Sequence, residues 1–382
     1  MIEKYYDGAI EQVAAGLGTV EKNYLLVRYS GQFSVENLND TKQLEKNEDI
    51  FVQVHEFETG EITCAYEPYL TMICDGFRRY MTGTFEEFME TCDVYYLHRP
   101  VLLGYFNQDN TGREEIILLD EVAYEQERML AALERMLCAI ADRHPVLFVL
   151  NRFQLASKST MQLTARFLKC ENCNIGLVLG VSDIQAMPEF LVPDWEMLYE
   201  TLDDGSKIYH IGNSGRKKEE TIDDEKYVDY GSEKVYRKLQ NMVEFLDFDQ
   251  AAYYLENIER KIKFDNLLVD DAARFRMWLL FVKVSILRQD IPKALEICED
   301  LEKIHLAGKE EECAYEQDYL IATAYMYQGK LKEALEMAGE TYRIAGKMSD
   351  DYRMFLSELL EAKIQMSGWY NIFFCAQDVK IK

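Results

Sequence analysis

Val146–Leu150 has the sequence Val-Leu-Phe-Val-Leu, an uninterrupted apolar run that is typical of a β-strand buried on both faces. Upstream of this run, Tyr124–His144 carries apolar residues at helical spacing. Downstream, Ser159–Leu168 returns to helical spacing, and Asn174–Gly180 contains a second apolar run. Helices and strands that alternate through short connections predict a parallel sheet with helices on its faces.

The preceding segments extend the same α/β pattern. Short apolar runs at Tyr24–Tyr29 and Ile50–Val54 predict two more strands. We expect helices at Tyr5–Leu17 and Tyr66–Tyr80, and an irregular connection at Phe85–Asn110.

The second half of the chain has a different, wholly helical pattern. The segment Asp203–Ser232 is rich in Gly, Asp, Glu and Lys and forms the best boundary, and from Glu233 onward only one proline, Pro292, occurs. We therefore predict two domains, an α/β domain over residues 1–215 and an all-α domain over residues 216–382.

Turn-forming residues recur at a fixed interval in this second half. Asp290, Gly329 and Gly368 follow one another at 39-residue intervals and are predicted to lie in equivalent turns, with an earlier turn of the same kind at Asp247–Asp249. A unit of helix, tight turn and helix cannot bury its apolar face alone, so such units stack on their neighbours. The pattern predicts an α-superhelix of repeats.

The chain is strongly acidic. It has 382 residues, with 68 Asp and Glu against 42 Lys and Arg, and a formal net charge of −26. This charge repels nucleic-acid phosphates and anionic lipid surfaces, so we expect no direct nucleic-acid binding. No run of about 18 apolar residues occurs, which argues against a membrane span. The nine scattered cysteines are typical of reduced thiols, and we expect a cytoplasmic location.

The segment Leu147–Thr160 resembles the Walker B region of the signal-transduction ATPases with numerous domains. Within that group it is most similar to the ATPase domains of maltose-regulon-type activators, where an apolar strand ends in two acids. Tyr315–Lys347, with Ala322, Gly329 and Ala334, resembles a tetratricopeptide repeat. The resemblance implies a parallel-sheet, P-loop NTPase-like domain followed by an α-superhelix of tetratricopeptide-like repeats.

The phosphate-binding residues of that family do not occur at the matching position. A phosphate loop needs several glycines, then a Lys for the β- and γ-phosphates and a Ser or Thr for magnesium. After the first predicted strand this chain has Ser30, Gly31, Gln32 and Ser34, with one glycine and no Lys-Ser or Lys-Thr pair. The loop is therefore predicted to be degenerate.

The acidic end of the Walker B strand is also replaced. The matching positions hold Asn151, which offers an oxygen without charge, and Arg152, which has the wrong sign for a catalytic base. We therefore expect no catalytic residue, no cofactor, no metal site and no ATP hydrolysis. The alternative is that Arg152 or Lys42 supplies the lost cation from elsewhere in the fold.

Two other features of the sequence are candidates for a binding site. Cys170 and Cys173 form a CxxC pair, but no second pair stands at zinc-site spacing, so two thiols in a helix–strand connection is the favoured interpretation. The repeats are rich in aromatic residues, and most of these are expected in the core between helices. The candidates for binding a protein or peptide partner are Trp278, Tyr325, Tyr327 and Trp369.

This combination predicts a protein that works through its surfaces. The favoured hypothesis is a non-catalytic regulatory or scaffold protein with a pseudo-ATPase core and protein-interaction repeats, as part of a larger signalling or transcription-regulating protein. A nucleotide-binding sensor without turnover is the alternative. The resemblance also implies self-association, which is frequent in that family.

Overall fold

The chain forms two compact units. The first comprises Met1–Val228 with Asn241–Gln250, and the second comprises Asp229–Gln240 with Ala251–Lys382. The predicted domain boundary at residue 215 lies outside the described residues. The computed structural model describes residues 2–19, 23–29, 49–58, 61–108, 122–170, 174–182, 187–203, 208–211, 229–265 and 267–378.

The first unit contains a five-stranded parallel sheet with the strand order β2-β3-β4-β1-β5. The predicted parallel sheet is therefore confirmed, and β5 adds a strand next to β1. The strands are β1 (Asn23–Tyr29), β2 (Phe51–Glu56), β3 (Val146–Asn151), β4 (Ile175–Ser182) and β5 (Ile208–Ile211).

Helices surround this sheet in the order expected for an α/β fold. The helices predicted at the start of the chain, before β3 and after β3 are confirmed. The helices of the first unit are α1 (Ile2–Gly16), α2 (Tyr69–Tyr80), α3 (Phe85–Thr91), α4 (Arg99–Asn107), α5 (Val122–Ala141), α6 (Lys158–Lys169) and α7 (Val192–Asp203).

Strand β3 is buried on both faces, as its apolar run predicts. On one face, Leu147 and Val149 lie in a core cluster with Ile10 of α1. On the other face the Phe148 ring lies 4.7 Å from the Tyr69 ring of α2 and stacks at 6.5 Å on Phe167 of α6, all between ring centroids. Alternate side chains of a strand point to opposite faces, so one short run contacts helices on both sides.

The prediction of an irregular connection at Phe85–Asn110 is wrong, because helices α3 and α4 lie there. Helix α3 begins with a capping box, in which the Thr84 hydroxyl accepts from the Glu87 N–H at 3.2 Å and the Glu87 carboxylate accepts from the Thr84 N–H at 2.8 Å. Helix α4 has Pro100 in its first turn. These start signals, rather than apolar periodicity, mark the two short helices.

The remainder of the described chain is helical, which confirms the helical pattern predicted for the second half. From α10 onward each helix packs on the next, α10 also contacts α12, and α12 also contacts α14. None of the described helices combines the length and the apolar character that a membrane crossing requires. The helices are α8 (Glu233–Glu244), α9 (Phe248–Phe264), α10 (Asp271–Leu287), α11 (Ile291–Leu301), α12 (Glu310–Gln328), α13 (Leu331–Met348) and α14 (Asp351–Asp378).

Two of the turns predicted from the 39-residue interval are present, and one is wrong. Asp290 caps α11 by accepting from the Lys293 N–H at 3.2 Å, and Gly329 has φ +78° in the turn between α12 and α13. Gly368, in contrast, lies inside α14. A glycine inside a helix costs only about 1 kcal/mol, so a helix-long pattern on both sides overrides it.

Replacing Asp318 of α12 by asparagine is expected to stabilise the second unit at neutral pH. Burial, followed by repulsion from Glu340 and Glu302, raises the pKa of Asp318 to about 6. Because the pKa is higher in the folded than in the unfolded chain, ionised Asp318 lowers stability as the pH rises from about 4 to 6.

The asparagine variant avoids this cost. Its free energy of unfolding in urea should exceed that of the wild type by about 1 kcal/mol at pH 7, after allowance for screening of this half-buried group. The difference in stability should vanish below pH 4, where Asp318 is protonated in both the folded and the unfolded chain. An equal difference at both pH values would show that the carboxylate charge is not the cause.

Candidate functional site

The carboxyl ends of the parallel strands meet at one edge of the sheet, which we call the carboxyl edge. Tyr29, Glu56, Asn151 and Ser182 are the last residues of β1, β2, β3 and β4. In the strand order, the connection from β1 leads past β4 and β3 to β2, whereas the connection from the neighbouring strand β4 leads past β1 to β5, in the opposite direction. Open α/β sheets bind ligands at the carboxyl edge where the connections of neighbouring strands run in opposite directions, so this edge is the candidate site.

Asn151, the last residue of β3, is fully buried at this edge. Its side-chain oxygen accepts a hydrogen bond of 2.6 Å from the Tyr29 hydroxyl, across the intervening strand β4. Burial raises the pKa of Tyr29 to about 12, although Arg152 and Asn151 oppose the rise. The hydroxyl is protonated at neutral pH and donates to the side-chain oxygen of Asn151.

Arg152, which follows β3 directly, is engaged in an ion pair. Its Nη2 atom lies 3.2 Å from Oε1 of Glu56, and the two side chains are only 25% and 16% exposed. The backbone of Arg152 has φ +53°, in the left-handed region that few non-glycine residues adopt. A phosphate would have to compete with Glu56 for this guanidinium, and separating a largely buried pair is costly.

A side-chain amide ties the end of β4 to the segment after β3. Gln154 Nε2 donates to the Ser182 carbonyl oxygen at 3.2 Å, and the Ser182 N–H donates to Gln154 Oε1 at 3.3 Å. Sequence reasoning missed Glu56, Gln154 and Ser182 as members of this edge. Their common signal is that each polar residue closely follows an apolar run.

The start of α6, which follows β3, carries a carboxylate at its backbone N–H groups. Asp247 Oδ2 accepts from the Ser159 N–H at 3.0 Å, and Gln250 Oε1 accepts from the Lys158 N–H at 3.3 Å. The Lys158 side chain forms an ion pair with Asp249. A helix N-terminus attracts anions, and in this protein its own Asp247 occupies that place.

The predicted degenerate phosphate loop lies outside the described residues. This applies to Ser30, Gly31, Gln32 and Ser34, and also to Lys42, which was one of the two alternative sources of a cation. The structure places Asn151 and Arg152 at the end of β3, while both the Walker B resemblance and the loop stay predictions.

The candidate partner-binding aromatics differ in exposure. Trp278 is only 2% exposed and packs near Phe281 within α10. Tyr325 and Tyr327 of α12 are partly exposed, and the Lys330 ammonium lies 5.4 Å from the centroid of the Tyr325 ring. Trp369 lies in the part of α14 whose side chains are outside the described residues.

Of the two cysteines in the CxxC pair, only Cys170 lies in the part of the chain that the structure describes. The Sγ atom of Cys170 lies 3.6 Å from that of Cys138 on α5, and Cys173 lies outside the described residues. Burial, with the neighbouring Cys170 second, raises the pKa of the Cys138 thiol well above its usual range. Within the described ranges, no three His, Cys, Asp or Glu side chains come together as a metal-binding group.

Converting Asn151 to aspartate is expected to destabilise the first unit rather than rebuild a magnesium site. A carboxylate at this fully buried position would be desolvated, at a cost of about 2–3 kcal/mol at pH 7. Millimolar Mg²⁺ should add no stability to the variant in thermal unfolding. The exposed Asn107→Asp exchange in the same unit is the matched control and should change stability by less than about 0.5 kcal/mol. A magnesium-dependent rise in the unfolding temperature of Asn151→Asp would contradict the prediction.

Comparisons of the chain with models of known families, with curated proteins and with solved structures find no match. The resemblance to signal-transduction ATPases and to tetratricopeptide repeats therefore stays a hypothesis.

Proposed function

We propose that this chain is a non-catalytic regulatory or scaffold protein, with a pseudo-ATPase core and helical repeats that bind a protein or peptide partner. The Tyr29–Asn151 hydrogen bond is the observation that carries the first part of this proposal. It places a neutral, engaged amide at the strand end where the resembled ATPases have an acid for magnesium.

The charges at the carboxyl edge support the same interpretation. Phosphoryl transfer from ATP needs a carboxylate for magnesium, a group that orients the attacking water, and free cations for the phosphates. At this edge the cation Arg152 is paired with Glu56, and the start of α6 is paired with Asp247. The polar groups therefore stabilise the fold of the edge itself, which suits a rigid docking unit better than an ATPase.

The interaction role of the repeats is supported by their packing. Ala322, Ala334 and Ala338 are almost completely buried in one core cluster that joins α12, α13 and α14. Small residues at such crossings let helices approach closely, as in tetratricopeptide-like repeats. The partly exposed Tyr325 and Tyr327 then offer aromatic surface to a protein or peptide partner. The charge of −26 favours a protein over a nucleic acid as that partner.

Calorimetric titration with ATP and with ADP, each with Mg²⁺, tests the pseudo-ATPase proposal. We expect no micromolar binding, and no phosphate release above a protein-free blank. Arg152→Ala is the matched variant, because it would abolish activity if this arginine were the compensating cation. Micromolar binding with measurable turnover that Arg152→Ala removes would overturn the proposal.

A nucleotide-binding sensor without turnover is the second candidate. The opposite directions of the connections from β1 and β4 favour it, because open α/β sheets bind ligands at such a point of the strand order. A nucleotide at 100 times its dissociation constant adds about 2.7 kcal/mol to the folded state. That corresponds to a rise of roughly 5–10 °C in the unfolding temperature of a unit of this size. An unchanged unfolding temperature at millimolar ATP and ADP would eliminate this candidate.

A further inference from the structure

Helix α14 has one face that is buried within the second unit. Leu360 and Ile364 are almost completely buried in the cluster that contains Ala334 of α13. On the same face the Thr341 hydroxyl of α13 donates to the Ser357 hydroxyl at 3.0 Å. This side of α14 therefore packs against the preceding helices of the second unit.

The opposite side of α14 carries an apolar stripe, which we define as Tyr352, Phe355, Leu359, Ala362 and Met366. The members are separated by alternating steps of three and four residues. Three of them are exposed to an unusual degree for large apolar side chains, Tyr352 at 50%, Phe355 at 57% and Met366 at 59%. Alternating steps of three and four correspond to the a and d positions of a heptad repeat, which form the seam of a coiled coil.

Two opposite charges flank this apolar stripe. Glu358 and Lys363 are five residues apart and occupy the g and following e positions of the same heptad pattern. In the part of the chain that the structure describes, neither side chain has an ion-pair partner. Burial lowers the pKa of Lys363, with no compensating carboxylate nearby. The lysine is therefore positioned beside the stripe without the counter-charge that would stabilise it.

We propose that α14 forms a parallel two-stranded coiled coil with α14 of a second copy of this chain. In a parallel pair, each g residue faces the e residue five positions later on the other helix. Glu358 of each copy then meets Lys363 of the other copy, and both charges gain a partner. In an antiparallel pair, g residues face g residues and e residues face e residues, so Glu358 and Lys363 would not meet each other. The single helix thus carries both halves of a complementary pair at the parallel spacing, which favours a second copy over an unrelated partner.

This inference concerns a surface different from the carboxyl edge, and it does not rest on the proposed loss of ATPase activity. Sedimentation velocity of the full chain tests it over a range from about 1 to 100 µM, where short coiled coils associate. We expect a monomer–dimer equilibrium. The single variants Glu358→Lys and Lys363→Glu should each weaken the dimer by about tenfold, because each creates two like-charge contacts.

The double variant Glu358→Lys/Lys363→Glu restores opposite charges and is expected to return the dissociation constant to within about threefold of the wild type. Glu361→Lys, the same exchange at a c position away from the stripe, should leave the dimer unchanged. Circular dichroism checks that every variant keeps its helix content. A wild-type chain that is monomeric at every concentration, or a double variant that fails to recover, would overturn the proposal, whatever the nucleotide titrations show.

Discussion

Replacing Phe148 by alanine is expected to lower the free energy of unfolding of the first unit by about 3–5 kcal/mol. The Phe148 side chain is completely buried in the centre of β3. Its ring packs against the Tyr69 ring of α2 and the Phe167 ring of α6, which also contact each other, so truncation leaves a cavity where three elements meet. The Tyr69 hydroxyl is held by Thr164 at 2.6 Å, which limits how far the tyrosine can move to fill that cavity.

Urea denaturation with hydrogen-exchange readout of β3 and α6 peptides measures this loss. The matched control is Tyr96→Ala in the same unit, where the ring is 63% exposed and the expected cost is below about 1 kcal/mol. Similar losses in the two variants would mean that burial of β3 is not what stabilises the unit.

Replacing Asp247 by alanine is expected to destabilise the first unit by about 2–3 kcal/mol. Asp247 is buried, and its carboxylate accepts from the backbone N–H of Ser159 at the start of α6. Without it, a buried donor at the first turn of α6 has no acceptor.

Asp247→Asn separates the hydrogen bond from the charge. Burial raises the pKa of Asp247, so the ionised carboxylate is less favourable in the folded chain than in the unfolded one. Because the pKa is higher in the folded chain, ionisation of Asp247 lowers the free energy of unfolding as the pH rises. Asparagine keeps an acceptor without the charge, and we expect it to cost less than about 1 kcal/mol at pH 7 in the same urea experiment. A loss as large as that of the alanine variant would show that the charge itself stabilises α6.

The two variants also bear on the proposed function. Asp247 is 88 residues from Ser159 in the chain, yet it belongs to the first unit and contacts the start of the helix that follows β3. Under the pseudo-ATPase proposal, the contact between Asp247 and the start of that helix stabilises the fold and does not bind nucleotide. The Asp247→Ala variant should then lose stability without gaining affinity for ADP in calorimetric titration.

Much of the first unit is predictable because its signals are local. The apolar run at Val146–Leu150 and the helical spacing on both sides of it lie within about one βα repeat, and burial on both faces follows directly from the run. The short helices α3 and α4 are harder to predict from the sequence. Their signals are a capping box at Thr84 and a proline at residue 100, rather than an apolar stripe. The prediction of a turn at Gly368 was wrong because a helix tolerates a single glycine.

The sequence by itself determined that β3 is a buried strand, that the polar residues Asn151 and Arg152 follow its apolar run, and that the second half is helical. These conclusions depend on residue types at short range, where periodicity and charge are directly visible. Only the tertiary structure decided that Asn151 is held by Tyr29, 122 residues away, and that Ser159 is held by Asp247, 88 residues away. The same holds for the pairing of Arg152 with Glu56 and for the exposed stripe of α14. A hydrogen bond or a buried face depends on which distant segments the fold brings within a few ångströms, and that arrangement follows from the packing of the whole unit.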